Sequence, residues 1–486
     1  MSKKSHSRPE TAAKQRARLE REAFEAKKSK IRRITAIVTA SVLAVLLLIG
    51  AAGLIAWNVR LNRGDYLRAE IAASGGGAEV DGAMMNYYFN DIYNTFVEYY
   101  GSYVEYYGLD TTAPLRTQYI DTTESWFDYF MTGAKDTVTG LLALRGAADA
   151  AGLTLNEAET AAVRAQADAA DTGLYGRGTH ADDIFRARSL EALAYKFRFR
   201  TEEVLAPDMS DINAYFADHA ARFQKVDYLA FPLYYSENGM SEAEVSAWAD
   251  KLTAAKSEDA FLSLCREVLL TEDPAMTEEA VAATLDGIVC EGILWSEGVE
   301  QYEWAFSAKK GSTYIKKDTE NTTCTVYFLT AEAYRDERAT ARVRHILFDD
   351  DVYGSRKKAM AAAEAMLAGW QAAGAAEEAF ALAALELTAD AASVYNGGLY
   401  EAVAPGTMVE EFDAWCFDPA RMHGDAGIIE TDYGVHVMHY CGTGLPVWAA
   451  DVSEALVSAA FAEYLSEIKA EYPVVFDENV LDMIPD

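Results

Sequence analysis

The 486 residues leave room for about three domains at roughly 150 residues each, and an apolar content of 51% is ample for folded cores and argues against a disordered chain. The formal net charge of −33 is unevenly placed: residues 1–33 carry twelve Lys/Arg against four Asp/Glu, a net of +8, and taking this from −33 leaves −41 on the remaining 453 residues. So acidic a body repels nucleic acid, which argues against DNA or RNA as a partner.

The basic arm, residues 1–33, comes first. Next is "ITAIVTASVLAVLLLIGAAGLIAW", residues 34–57, which holds 24 residues without a charge. That length crosses a hydrocarbon core of about 30 Å. Arg32 and Arg33 stand directly before it, which places the N-terminus in the cytoplasm. A cleaved signal peptide is the other reading, but the run exceeds the usual apolar region of about 7–15 residues and the arm before it is long. The expectation is a single-pass cell-membrane protein that touches lipid through this helix, with the bulk of the chain extracytoplasmic.

Residues 58–82 read as a linker, with "SGGG" at 74–77 as a hinge between helical patterns. Residues 83–224 read as all-helical and chaperone-like. Tyr88, Ile92, Phe96 and Tyr99 recur in steps of three and four, one face of a helix. Thr154 and Glu157 stand at capping-box spacing before another. The pattern changes at "KVDYLAFPLYY", a strand, followed by two helices and the closing strand in "ENTTCTVYFLTAEAY". About 117 residues after Val226 the same order restarts at "ARVRHILFDDD". Two consecutive α+β units, 225–338 and 339–445, therefore look like a duplicated module. A helix within 446–486 closes the chain. The five cysteines, Cys265, Cys290, Cys324, Cys416 and Cys441, are too few and scattered for a disulfide framework or a zinc site. They read as buried thiols, with one disulfide possible outside the cytoplasm.

Four pieces of the second unit carry a resemblance. "RVRHIL" (342–347), "NGGLY" (396–400), "PGTMVEEFDAWCF" (405–417) and "TDYGVHVM" (431–438) resemble, in order and spacing, the parvulin-type (PpiC, rotamase) peptidyl-prolyl cis-trans isomerases. More loosely, the whole chain is similar to membrane-anchored foldases of the PrsA/SurA type, which join helical chaperone regions to such modules. The fold class this implies is α+β: an N-terminal transmembrane helix, an all-helical chaperone-like domain, two tandem parvulin-like modules and a C-terminal helix packing back on the helical domain.

The resemblance implies a catalytic set of His345, Asp390 and His436, the two rings facing each other at the floor of a proline-binding cleft. It makes Met408 and Phe412 the apolar wall for the ring, their i, i+4 spacing placing both on one helical face. Thr431 and Tyr433 line the same cleft. Taken singly, each histidine also reads as structural, and Met408 and Phe412 as ordinary core. Alternation along the last strand puts His436, Met438 and Tyr440 on one face and Val435, Val437 and His439 on the other, so His439 stays out of the pair. "NGGLY" departs from the family's commoner Gly-Gly-Asp-Leu-Gly, lacking the Asp and the final Gly. The first unit has Tyr228 where His345 stands, no His in its closing strand and no Gly-Gly. It reads as a degenerate copy that grips peptide without isomerising it.

The implied reaction suits these residue types. Rotation about a peptide bond meets a barrier of about 18–20 kcal/mol because resonance must be broken, while the two X–Pro isomers differ by only about 0.5–1 kcal/mol. No bond is made or cut, so no nucleophile, metal or cofactor is called for. The expected partners are unfolded or newly exported polypeptides with X–Pro bonds. The alternative is a non-enzymatic peptide-binding chaperone or assembly scaffold. No Ser-His-Asp order, His-Glu-x-x-His spacing or phosphate loop points to a hydrolase.

Overall fold

The computed structural model describes residues 45–46, 49–55, 58–59, 64–235, 239–318 and 322–485. The basic arm lies outside them, as do residues 34–44, 47–48 and 56–57 of the predicted membrane-spanning run. The rest of that run is helical, and its Val45, Leu46, Ile49, Leu54 and Ile55 side chains are exposed. Among the described residues no helix is long and apolar enough to cross a membrane.

The expected hinge at 74–77 is instead the turn of a hairpin. β1 (Ile71–Gly75) and β2 (Ala78–Asp81) pair antiparallel. Gly76 and Gly77 between them have φ of 54° and 72°, the positive values a tight two-residue hairpin turn demands. A Cβ on Gly76 would lie 1.9 Å from the Leu142 carbonyl oxygen, so this glycine also lets the turn press onto a helix. Ala72, Ala73 and Val80 give the hairpin a buried face. A short strand, Val475–Phe476, pairs with β1 on its other side, so segments from before and after the two modules share one sheet.

Five helices follow: α1 (Gly82–Tyr100), α2 (Trp126–Ala150), α3 (Glu157–Ala169), α4 (Ala181–Leu205) and α5 (Met209–Phe223). The Asp81 side chain caps α1 by accepting from Met84 N at 2.9 Å. Along α1 the predicted stripe holds for Tyr88, Ile92 and Phe96, which pack into the core. Tyr99 is 80% exposed, because the last turn runs past the core's edge. The capping box of α3 is formed by Asn156 and Glu159, not by Thr154 and Glu157. Both pairs have the required spacing, and Asn is the better cap.

The first module runs β3 (Lys225–Tyr234), α6 (Glu242–Thr253), α7 (Glu258–Glu272), α8 (Glu278–Asp286), β4 (Val289–Leu294), α9 (Glu300–Ser307), β5 (Thr313–Asp318) and β6 (Thr323–Tyr334). The second runs β7 (Ala339–Phe348), α10 (Arg356–Ala372), α11 (Glu377–Leu387), β8 (Leu399–Val403), α12 (Glu410–Cys416), β9 (Ala426–Thr431) and β10 (Gly434–Pro446). Their antiparallel sheets have orders β4-β3-β6-β5 and β8-β7-β10-β9, the same topology twice. In each the opening strand is central, paired to the closing strand. α13 (Val447–Glu471) then leaves the second sheet. Its Trp448, Ala449 and Val452 pack on Ile212 and Phe223 of α5, and its Phe461 and Ile468 enter the core of the helical body. Burying such side chains contributes about 1.5–3 kcal/mol each. The C-terminal helix thus returns to the helical body as expected, and both modules are inserted between segments that pair in one sheet on that body. All five cysteines are free, four of them buried.

The second module rests on the helical body through α11, which packs on α3, and through the turn at 394–396, which packs on α4. Tyr395 in that turn stacks on Tyr195 with ring centroids 5.1 Å apart and planes 6° from parallel. Its phenol donates to the Glu191 carboxylate. Burial pushes the Glu191 pKa up to about 7, the Tyr395 bond opposing. The helical body therefore grips the loop that, as described next, carries the candidate site.

Candidate active site

β7 and β10 lie side by side in register His345↔Met438 and Leu347↔His436. The two histidines are therefore diagonal neighbours on one face of the sheet, a separation aromatic side chains can bridge. Alternation sends Ala341 and Val343 to this face and Ile346 and Phe348 to the helix-covered one; on β10 it sends Met438 and Tyr440 to this face and Val435 and Val437 to the other. His345 Nδ1 lies 3.3 Å from His436 Nδ1, and both rings are buried.

Asp390 reaches the pair from the loop after α11. Thr388 pins that loop to the strand: its Oγ1 accepts from Leu347 N at 3.0 Å, and Ala389 N donates to Leu347 O at 2.9 Å. Asp390 Oδ2 then sits 2.9 Å from His345 Nε2. The same oxygen accepts from Ser393 Oγ and, at 3.2 Å, from the Tyr400 phenol. The loop closes through Gly397 and Gly398, both at positive φ. A Cβ on Gly398 would lie 2.2 Å from the His345 carbonyl oxygen; the glycine lets His345 N donate to Gly398 O at 2.8 Å.

At the far end, Thr431 Oγ1 accepts from Tyr433 N at 3.1 Å and lies 2.9 Å from His436 Nε2. The tautomers follow from these partners. Thr431 donates its hydroxyl proton to His436 Nε2; His436 donates through Nδ1 to His345 Nδ1; His345 donates through Nε2 to Asp390. Every bond in the chain then points toward the carboxylate.

The electrostatics agree with that polarity. Burial would push the Asp390 carboxyl up, but hydrogen bonds from His345, Ser393 and Tyr400 outweigh it and hold the group well below the usual carboxylate range. Burial, helped by the neighbouring His345, lowers His436 to about 4. Burial and the Asp390 charge raise Tyr400 to about 12. Near neutral pH the site thus holds an anionic Asp390, a neutral His436 and a protonated Tyr400.

Over this floor stands an apolar wall. Phe412 presents itself edge-on to both imidazoles, with centroids 5.5 Å from His345 and 6.0 Å from His436. It clusters with Val343, Val403, Met438, Tyr400 and Met408. Met408 precedes α12 instead of lying on it, so the i, i+4 face expected of Met408 and Phe412 does not form. The Pro405–Met408 loop brings Met408 to the same cluster all the same. Tyr433 supplies its backbone N–H to the network, while its ring is 67% exposed. A separate surface cavity of about 790 Å³, lined by Asp227, Tyr334, Arg335, Arg338 and Pro405, lies away from the histidines.

His345, Asp390, His436, Thr431, Met408 and Phe412 therefore converge. Ser393, Tyr400 and Thr388 belong to the site and were missed from sequence. Tyr400 lies in the stretch where "NGGLY" departs from the commoner motif, so the departure itself was the available signal. Ser393 and Thr388 carry none beyond proximity to Asp390.

A sheet with a buried, hydrogen-bonded histidine pair below an aromatic wall defines the class. Residues 327–441 match the family model of the PPIC-type PPIASE domain. The match begins within β6, the last strand of the preceding sheet. No curated protein matches the chain. Solved structures that match include a peptidylprolyl isomerase (PrsA) from Bacillus cereus, 19% identical, with a TM-score of 0.18 over 28% of this chain and 50% of that one. Another PrsA, from Bacillus anthracis, is 13% identical, with a TM-score of 0.19 over 48% and 87%. A SurA-like chaperone structure from Campylobacter jejuni is 16% identical, with a TM-score of 0.18 over 49% and 93%. The chain thus spans half the length of the Bacillus cereus structure.

Proposed function

We propose that this protein is a membrane-anchored foldase that acts outside the cytoplasm, isomerising X–Pro bonds in newly exported polypeptides and holding them meanwhile. The observation that carries the reading is the hydrogen-bonded series from Thr431 through His436 and His345 to an anionic Asp390, under the Phe412 wall. The substrate proline ring packs against Phe412 and Met408, with Met438 buried beneath them. In the planar amide, resonance places negative charge on the carbonyl oxygen, and twisting removes much of it. An anionic Asp390 facing that oxygen raises the energy of the planar form more than of the twisted one, which lowers the barrier. The two imidazoles act as spacers that fix Asp390 and the cleft; they exchange no proton with substrate.

The anchor is the uncharged run at 34–57 behind its basic arm, which favours a cytoplasmic N-terminus. The first module serves as a holding site. The register Tyr228↔Leu329 parallels His345↔Met438, so Tyr228 and Tyr327 stand where the second module has its histidines, with ring centroids 5.5 Å apart. A tyrosine pair there keeps an aromatic floor and has no imidazole with which to hold a carboxylate. Tyr99, Tyr103 and Tyr106, each at least 70% exposed, add aromatic surface for unfolded segments.

A proline-isomerisation assay of the full chain in detergent, on an X–Pro tetrapeptide, tests this. Turnover is expected, and Asp390→Ala lowers kcat/KM about tenfold or more with the fold retained by circular dichroism. A folded wild-type chain without turnover, or an unchanged rate in a folded Asp390→Ala, overturns the enzymatic reading and leaves a peptide-holding scaffold.

A further inference from the structure

Behind the catalytic sheet, β10 turns His439 and Cys441 to the helix-covered face, two residues apart on one strand. The first residue of α11, Glu377, reaches the same spot. One ligating atom from each of Glu377, His439 and Cys441 lies within 4.8 Å of the other two. His439 and Cys441 are 4% and 7% exposed. The His439 ring is wedged against Trp370 and Phe380, and burial lowers its pKa, so it is a neutral imidazole. Its Nδ1 is buried without any hydrogen-bond partner. An orphaned buried polar atom of this kind costs about 1–3 kcal/mol, and few are tolerated without a reason.

We propose that Glu377, His439 and Cys441 form a binding site for a zinc-class divalent metal ion, unrelated to the isomerase reaction. The donor set is one soft thiolate, one imidazole and one carboxylate, the mixture that suits zinc and its neighbours more than calcium or magnesium. An imidazole nitrogen of His439 becomes a metal ligand. Arg344 Nε engages Glu377 Oε1 at 3.0 Å, which orients the carboxylate as an outer-shell partner does, and in the metal-free protein the Cys441 thiol donates to the same carboxylate. In the metal-free protein, burial and the Glu377 charge keep the Cys441 thiol protonated. On binding, the S–H proton leaves to solvent and the sulfur electron pair forms the metal bond; no oxidation state changes. Tetrahedral zinc bonds of about 2.0–2.3 Å require the three atoms to draw together by roughly 1 Å, which the half-exposed Glu377 can supply. Water completes the shell. The ion ties the start of α11 to β10, and Arg344 extends the tie to the Asn396 and Gly397 carbonyls of the site loop, at 2.8 and 2.9 Å.

The test is titration of the chelator-stripped full chain in detergent with Co²⁺ as the optical probe. The expected result is one equivalent bound, with a thiolate-to-cobalt charge-transfer band that Zn²⁺ bleaches by displacement. Cys441→Ser removes the band, and Glu377→Gln, at a half-exposed position that does not threaten folding, weakens binding by about tenfold or more. Absence of the band in wild type, its survival in Cys441→Ser, or unchanged affinity in Glu377→Gln overturns the proposal. Because the readout is optical, it stands or falls independently of isomerase turnover.

Discussion

Protonation of His436 should loosen the second module at a pH where its carboxylates are still ionised. In the folded chain the pKa of this ring is about 4, against about 6.5 for an unfolded histidine. A folded-state value below the unfolded one means that the stability is present above the unfolded value and is lost as pH falls. Each unit corresponds to about 1.36 kcal/mol. From about pH 7.5 to about pH 5 the ring's contribution should therefore fall by about 2 kcal/mol, the 1.5 units below 6.5. The groups that face it are His345, Asp390 and Thr431, with Arg356 further off. A charged ring loses the acceptor that Thr431 needs and is penalised by burial and by the neighbouring His345, which Asp390 offsets only in part. Native-state hydrogen exchange of β7 and β10 amides in the full chain, at both pH values, reads the local opening free energy. Wild type should lose about 2 kcal/mol more over this interval than His436→Gln, which has no ring to titrate. Equal losses in the two proteins would refute the assigned polarity of the histidine chain.

Two further outcomes follow from close packing. Gly398→Ala drives a Cβ to 2.2 Å from the His345 carbonyl oxygen at φ 74°; the expected cost is about 3 kcal/mol or more, seen as a lower melting temperature and loss of turnover. Asp183→Ala removes a carboxylate 1% exposed that holds both Arg68 and Arg186 and caps α4 through His180 N. Both guanidiniums are partly solvated, so the loss should fall near 3 kcal/mol, the low end for a broken buried pair, measured as a shift in thermal unfolding of the helical body.

Much of the fold was legible because its signals are local. Period-two alternation along β10 assigned His436 and His439 to opposite faces, since successive side chains on a strand must point to opposite sides, whereas the pairing of His345 with His436 was implied by the family resemblance. The repeated order of strand and helix disclosed two units, and each has the same sheet topology. Local signals also misled where two elements share them. Glycines at 75–77 stop a helix and make a hairpin equally well; the choice lay in Ala72, Ala73 and Val80, which are buried with the helical body and the Val475–Phe476 strand beside them. Thr154-x-x-Glu157 and Asn156-x-x-Glu159 are both cap patterns, and only one can begin the helix.

What chain order could not determine is which side chains end up sharing a bond. Asp390 is 45 residues from His345, and Thr388 brings the two together by accepting from the strand's own backbone. Tyr400 became part of the site because the glycine turn lets β8 lie against β7. Glu377 meets His439 and Cys441 because α11 packs behind β10. A hydrogen bond or a metal–ligand bond is decided within a few tenths of an ångström, and that precision comes from close packing of elements distant in the chain, whereas the pattern of apolar residues specifies only which face each element buries.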